Sequence, residues 1–371
     1  MQKNNANIQK ASNPFTPSFG KTPPILAGRN TLLNSFEHAF SESPNDPNLC
    51  SLFAGPRGVG KTVLLSHLAN MAQSNAWVSA NVTARPGMLE DIIERTKEAA
   101  VEFIEKPASA RLSSVSVPGG LGASWEFAGK GSKNWRSRMN QILDSLQKHE
   151  VGLVITIDEV DPTLDELIDF AATFQHFVRE DRKVALLMAG LPINISTLLS
   201  NKSVSFLRRC TQHQIGRISD EDVLCALRQT FNESGKQIAN DALDYATKRI
   251  GGFAYMMQLV GFRMWDVANN SNNVSIEHAK LGCKLAQKGF VDGVVKKTLQ
   301  ELSDGDIAFL EAMLTDTGGQ SKLSDIAQRL GKSTNYARVY KTRLVTQGVI
   351  SAPRRGSVAF ELPLLRECLQ D

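Results

Sequence analysis

Gly55-Pro56-Arg57-Gly58-Val59-Gly60-Lys61-Thr62 is the stretch whose reading decides the fold. The pattern G-x-x-x-x-G-K-T is that of a phosphate-binding loop: glycines let the backbone wrap closely and aim its N–H groups inward. Its surroundings agree with that reading. The apolar run Leu52-Phe53-Ala54 leads in, and Val63, Leu64, Leu65 and Leu68 supply the buried face of a following helix. The start of that helix adds positive potential for a triphosphate. Gly55, Pro56, Arg57, Gly58, Val59, Gly60, Lys61, Thr62 and Val63 are therefore the candidate nucleotide contacts. Lys61 is expected to reach the β- and γ-phosphates and Thr62 to ligate Mg2+, while Arg57 reads as structural or solvent-facing. A chance glycine-rich turn would lack both the strand before and the helix after.

About 100 residues on, Leu153-Val154-Ile155-Thr156-Ile157-Asp158-Glu159 is an apolar run closed by two carboxylates. A strand buried on both faces brings its C-terminal end beside such a loop, because parallel sheets bind ligands at that edge. Asp158 is expected to hold the magnesium and Glu159 to orient and deprotonate the attacking water, making Glu159 and Lys61 the candidate catalytic residues. The competing reading, an exposed helix cap, loses ground once the upstream loop is counted. Asp161 is either a second helper or a cap before Pro162.

Short apolar runs alternate with amphipathic stretches from Ile25 to Arg217, which predicts an α/β parallel sheet. The strands are expected at Cys50–Ala54, Ala76–Val82, Val151–Ile157 and Val184–Ala189, with a fifth near Gln212–Ile218. An insertion at about Leu112–Phe127 reads as a β-hairpin or ordered loop. After Ile218 the pattern turns helical. Ser219, followed by Asp220, Glu221 and Asp222, reads as a capped first turn, and further helices are expected from Asp241, Phe253 and Ile276. The boundaries this gives are a mobile or loosely docked arm at 1–24, a nucleotide domain at 25–217, a helical lid at 218–300 and a last unit at 301–371.

That last unit reads as three helices and a hairpin. Ser303 caps a helix with Asp304 and Asp306 in its first turn; Lys322–Leu330 forms a second helix ending at Gly331; Ser333 caps a third, with Ala337, Tyr340 and Leu344 on one face. A hairpin with the tip Pro353-Arg354-Arg355-Gly356 follows. This order is that of a winged helix-turn-helix. Between Thr317 and Phe360, Lys322, Arg329, Lys332, Arg338, Lys341, Arg343, Arg354 and Arg355 face a single acid, Asp325, in a chain of net charge +4, so positive charge is concentrated there. Thr334, Asn335, Arg338 and Lys341 are candidates for a DNA major groove, with Arg354 and Arg355 on phosphates or in the minor groove. The competing reading is a protein-contact domain or a solvated basic face.

Together these residues resemble AAA+ ATPases, especially the origin-recognition-like subgroup, and also the STAND and archaeal-type ATPases. Leu26-Ala27-Gly28-Arg29 matches the box that lies near the adenine in these families, Leu187–Pro192 falls in the sensor-1 region, and Gly251-Gly252-Phe253-Ala254-Tyr255 falls in the sensor-2 region. The resemblance implies a P-loop NTPase parallel sheet of the additional-strand class with a helical lid and a C-terminal winged helix-turn-helix. It also implies a slow, Mg-dependent ATPase with ATP and Mg2+ as ligands. Arg208 and Arg209 stand where the family places an arginine finger, or they are a surface pair satisfying helix-end carbonyls. Two features depart from the family. Ala189-Gly190 offers no polar sensor-1 group, Asn194 being a distant substitute, and no arginine follows Gly251-Gly252.

Composition bounds the rest. With 371 residues, 42% hydrophobic and 22% charged, the chain is a multi-unit globular protein. Five scattered cysteines without a CxxC pair predict no disulfide framework and a reducing cytoplasm. No apolar run has the length of a membrane span, and the polar N-terminus lacks a secretory signal. The expected partners are ATP, double-stranded DNA and a homo-oligomer or protein partner. Two functions follow: an ATPase whose nucleotide state controls DNA binding or assembly, and alternatively a STAND-like switch acting on a protein partner. A pure binding module with vestigial turnover is a third, which Glu159 argues against.

Overall fold

A computed structural model describes residues 12–18, 21–42, 45–105 and 135–370; the hairpin or ordered loop expected at about 112–127 lies outside them. The chain divides into two compact units, one of Asn30–Gly55 and Lys61–Ile215, the other of Met1–Arg29, Pro56–Gly60 and Gly216–Asp371.

The first unit is built on a parallel sheet of β1 (Cys50–Ala54), β2 (Trp77–Thr83), β3 (Gly152–Asp158), β4 (Val184–Gly190) and β5 (Thr211–Gln214), in the order β2-β3-β4-β1-β5. All of β4 and all but the last residue of β3 are buried, as a central strand covered by helices on both faces requires. The covering helices are α1 (Asn30–Ser41), α2 (Lys61–Ser74), α3 (Met88–Glu105), α4 (Trp135–Lys148), α5 (Asp165–Arg179) and α6 (Pro192–Ser200). Phe170, Phe174 and Phe177 lie along one side of α5 and are buried, each contributing about 2–3 kcal/mol of apolar burial.

The first four strands lie within a residue of their expected bounds. The fifth begins one residue earlier than expected and ends at Gln214; Thr-Gln-His-Gln is polar throughout and alternates between half-buried and exposed at the sheet edge. What holds it is specific: His213 stacks on Phe53 at 5.0 Å between ring centroids and lies 3.2 Å from the Ser51 hydroxyl. The cysteines also depart from expectation. Cys50 and Cys210, 160 residues apart, are disulfide-bonded across the starts of β1 and β5. Spacing rules cannot see such a pair, because only sheet order makes the two neighbours.

The second unit contains α7 (Asp220–Glu233), α8 (Asn240–Ile250), α9 (Ala254–Ala268) and α10 (Ile276–Phe290), with the short strands β6 (Gln237–Ile238) and β7 (Asn273–Val274) paired between them. The Ser219 hydroxyl accepts from the Asp222 N–H at 3.1 Å, the cap expected from sequence. Wider π-type turns at Val291–Val295 carry α10 into α11 (Lys296–Gln300). Then follow α12 (Asp304–Leu314), β8 (Ser321–Lys322), α13 (Leu323–Arg329), α14 (Thr334–Thr346), β9 (Ile350–Ser351), β10 (Ser357–Phe360) and α15 (Leu365–Gln370); the small sheet is antiparallel in the order β8-β10-β9. Residues 218–300 and 301–371, read separately from sequence, share one apolar core.

The arm contributes to that core. Phe15 is 2% exposed, lies 5.0 Å from the Phe231 ring, and fills space that any side chain at Gly261 would occupy. The Asn13 amide donates to the Phe262 carbonyl and to Asp266, and the Thr16 N–H donates to Gln258. Over residues 13–16 the arm is therefore docked rather than loose.

Candidate nucleotide site

The end of β1 and the start of α2 position the first half of the site. Gly55 must be glycine: a Cβ there would meet the Ile215 carbonyl oxygen at 2.3 Å. Gly58 and Gly60 have φ of +78° and +91°, the left-handed region that turns successive N–H groups toward one point. The Lys61 ammonium donates to the Gly55 carbonyl at 2.8 Å, so it lies folded over its own loop. Val59 is buried and Arg57 exposed, while Pro56, Gly60 and Val63 are half-buried.

From the opposite side comes the end of β3. The Thr62 hydroxyl donates to Asp158 Oδ2 at 2.5 Å, and Asp158 Oδ1 accepts from the Glu159 N–H at 2.9 Å. Hydroxyl and carboxylate oxygens form a hard donor pair that suits magnesium, which keeps most of its waters and takes one or two protein oxygens. Glu159 is exposed and has φ +54°, uncommon for a residue with a Cβ. The two motifs 96 residues apart thus meet. Asp161 accepts from both the Thr163 N–H and its hydroxyl, which is a turn-forming role.

Near the sensor-1 region, Asn194 donates from its amide to the Val160 carbonyl at 2.8 Å. Arg208 donates to the Leu199 carbonyl at the end of α6, the helix-end role named as its alternative. Arg209 is exposed beside it.

In the second unit, Gly28 has φ +67°, and the Arg29 guanidinium donates to the Gly216 carbonyl at 2.6 Å. Burial pushes the Arg29 guanidinium below its usual range, against the pull of Asp222. Gly252 closes on Ile218: its carbonyl accepts from the Ile218 N–H at 2.8 Å, and a Cβ would meet the Ile218 oxygen at 2.5 Å. The Tyr255 N–H donates to the Gly58 carbonyl at 3.2 Å, so the first turn of α9 touches the middle of the loop. Sequence reading missed Arg217, whose guanidinium covers the Phe253 ring at 4.4 Å and lies 3.9 Å from Glu361; nothing in its own neighbourhood marks it.

In the last part of this unit, Thr334, Asn335, Arg338 and Lys341 lie exposed or half-exposed on α14, and Arg354 and Arg355 are exposed at the hairpin tip. Val339, in the middle of α14, is 65% exposed. Two of the eight counted cations are occupied internally: Arg343 pairs with the buried Asp306, and Arg329 with Asp316.

Comparison with known proteins agrees with this geometry. Residues 25–188 match the AAA ATPase domain family, and residues 292–369 match a family described as a domain of unknown function. A Walker-type ATPase of Pyrococcus abyssi has a similar structure, with a TM-score of 0.66 at 13% identity over 93% of this chain and 96% of that one. The ORC2 protein of Aeropyrum pernix, in ADPNP–ADP complexes, gives 0.64 at 12% identity, covering 95% of this chain and 94% of its own. Cdc6p of Pyrobaculum aerophilum gives 0.50 at 14%, covering 95% and 96%. No curated protein matches in sequence.

The sheet order, the glycine loop and the acidic strand end define a P-loop ATPase fold of the AAA+ class, in keeping with the match of residues 25–188. The chain shares this fold with the ORC2 protein of Aeropyrum pernix and the Walker-type ATPase of Pyrococcus abyssi. Among the described residues, no helix is long and apolar enough to cross a membrane.

Proposed function

We propose that the chain hydrolyses ATP with magnesium at the loop Gly55–Val63 and that its nucleotide state governs the grip of its last domain on duplex DNA. The observation that carries the first half is the 2.5 Å hydrogen bond from Thr62 to Asp158. These two oxygens would hold the metal, which when bound neutralises charge on the phosphates. Lys61 swings from the Gly55 carbonyl to the phosphates, and Gly58 and Gly60 aim N–H groups at them. Glu159, exposed at the end of β3, orients water and takes its proton. Arg209 remains a candidate finger for a neighbouring copy, while Arg208 is held by Leu199.

The helices α12, α13 and α14 with the β8-β10-β9 sheet support a winged helix-turn-helix reading. Six cations, Lys322, Lys332, Arg338, Lys341, Arg354 and Arg355, remain once the two internal pairs are removed. Thr334, Asn335, Arg338 and Lys341 on α14 then face the major groove, and the hairpin tip follows the backbone. ATP turnover with and without duplex DNA, comparing the native chain with Lys61→Ala, tests the whole reading. DNA-stimulated turnover abolished by Lys61→Ala is expected; equal turnover in the two chains would reject it.

One observation favours the STAND-like switch. Arg57 and Gly58 of the loop, Phe253 and Tyr255 of α9, and Gly348, Val349 and Leu362 of the last domain line one cavity of about 210 Å³. A domain that clamps the loop in this way suits a chain that retains nucleotide and opens to a protein partner. Tight ADP retention, without stimulation by DNA, would select this second reading.

A further inference from the structure

The turn that carries Glu159 is held at three successive points. The Glu159 N–H is bound by Asp158 Oδ1, the Val160 N–H donates to the Ala189 carbonyl at 2.9 Å, and the Val160 carbonyl accepts from the Asn194 amide at 2.8 Å. Val160 itself is fully buried, and a Cβ at Gly190 would come within 3.0 Å of its Cβ, so the missing side chain at Gly190 makes its seat. Between these anchors, Glu159 has φ +54°. A residue with a Cβ stays in that region only where its surroundings over-determine it. Asp161 and Pro162 continue the constraint, Asp161 by closing a turn onto Thr163.

Of these anchors, the Val160–Ala189 bond is wholly main chain and cannot vary with sequence; Asp158 is committed to the metal-binding pair. Asn194 is a side chain from outside the loop and the acidic pair that bonds the turn directly. It stands on the first turn of α6, just past the sensor-1 stretch that ends β4. Its amide is spent on a carbonyl one residue beyond Glu159.

We infer that Asn194 is a positioning residue, which fixes the backbone of Val160 and thereby the direction in which the Glu159 carboxylate leaves the sheet. The inference rests on the reading of Glu159 as the water-orienting carboxylate. Asn194 acts through Val160, so its loss misdirects Glu159 and leaves nucleotide binding intact.

Asn194→Asp in the full chain keeps the side chain's shape, removes the donor and sets a carboxylate oxygen against the Val160 carbonyl. We expect kcat to fall about tenfold to a hundredfold, the scale of a displaced catalytic group. KM for ATP and the ADP dissociation constant stay within about twofold. Deuterium uptake rises at backbone amides 159–161 and not elsewhere. Asn194→Gln, which keeps a donor on a longer arm, regains much of kcat. Native kcat in Asn194→Asp with unchanged exchange at 159–161 overturns the inference. So does a joint fall of kcat, nucleotide affinity and melting temperature, the mark of a general structural role. Turnover that survives Glu159→Gln would remove the hydrolytic reading instead. The exchange measurement would then still decide whether Asn194 holds the turn.

Discussion

Arg329 donates through its two terminal nitrogens to the two carboxylate oxygens of Asp316, each at 2.6 Å, and reaches the Ala312 carbonyl as well. A forked pair of this kind ties the end of α12 to α13 and takes one cation out of any DNA-facing set. The arginine holds the Asp316 carboxyl down at about 2. A carboxyl depressed in the folded state contributes stability that is complete above its unfolded value near 4 and is lost as pH falls toward 2. Asp316→Asn is therefore expected to melt about 2–4 °C lower at pH 7, for a loss near 1 kcal/mol, and to show a shallower decline between pH 4 and pH 2. Thermal melts of both chains across that range check it.

Salt dependence separates the paired cations from the rest. If duplex DNA is bound through the hairpin tip, replacing Arg354 and Arg355 together by alanine reduces the slope of log affinity against log salt by about 2, one per phosphate contact. Arg329→Ala should leave that slope unchanged while lowering the melting temperature. Titrations at several salt concentrations give both answers, and an unaltered slope in the double variant would exclude the tip from the interface.

At the acidic end of β3 the two carboxylates are expected to separate cleanly. Glu159→Gln should lower kcat about a hundredfold or more with ATP still bound, since proton removal by a positioned base is worth that much. Asp158→Asn should weaken Mg-ATP relative to ATP alone, because the pair with Thr62 loses its negative charge and with it the stronger magnesium donor. Single-turnover kinetics together with calorimetry distinguish the two outcomes.

For the cysteines, mass labelling gives a direct count. The chain has five, of which Cys225, Cys283 and Cys368 are free, so labelling of the unfolded chain in denaturant is expected to give three labels without reductant and five after reduction. Closing a loop of this length stabilises by about 2–4 kcal/mol, so reduction should lower the melting temperature on the order of 5–10 °C. Cys50→Ser should abolish that difference.

The parts legible in sequence are those written in neighbouring residues. Lys61 and Thr62 declare themselves within one octapeptide, Asp158 and Glu159 at the end of a run that can only be a buried strand, and Ser219 and Ser303 three residues ahead of their carboxylates. The parts that were not legible are made by residues brought together from afar. His213 lies in a strand paired with Phe53 of β1, on whose ring it stacks; Cys50 meets Cys210 because β1 and β5 are adjacent; Arg217 finds Phe253 across a lid whose packing no periodicity encodes. Asn194 was seen as a poor stand-in for a phosphate sensor, since its true partner, a main-chain carbonyl, leaves no trace in side-chain identity. The count of cations on the last domain overshot for the same reason, with the acids that occupy Arg329 and Arg343 lying outside the window counted.

Phe15 occupies a slot that Gly261 leaves open between α7 and α9. A shortened protein begun at Ile25, where the recognisable motifs start, would therefore expose a wet, ring-sized notch in the lid's interior. The lid would have to collapse into it, or recruit a foreign aromatic group, before it could regain its shape.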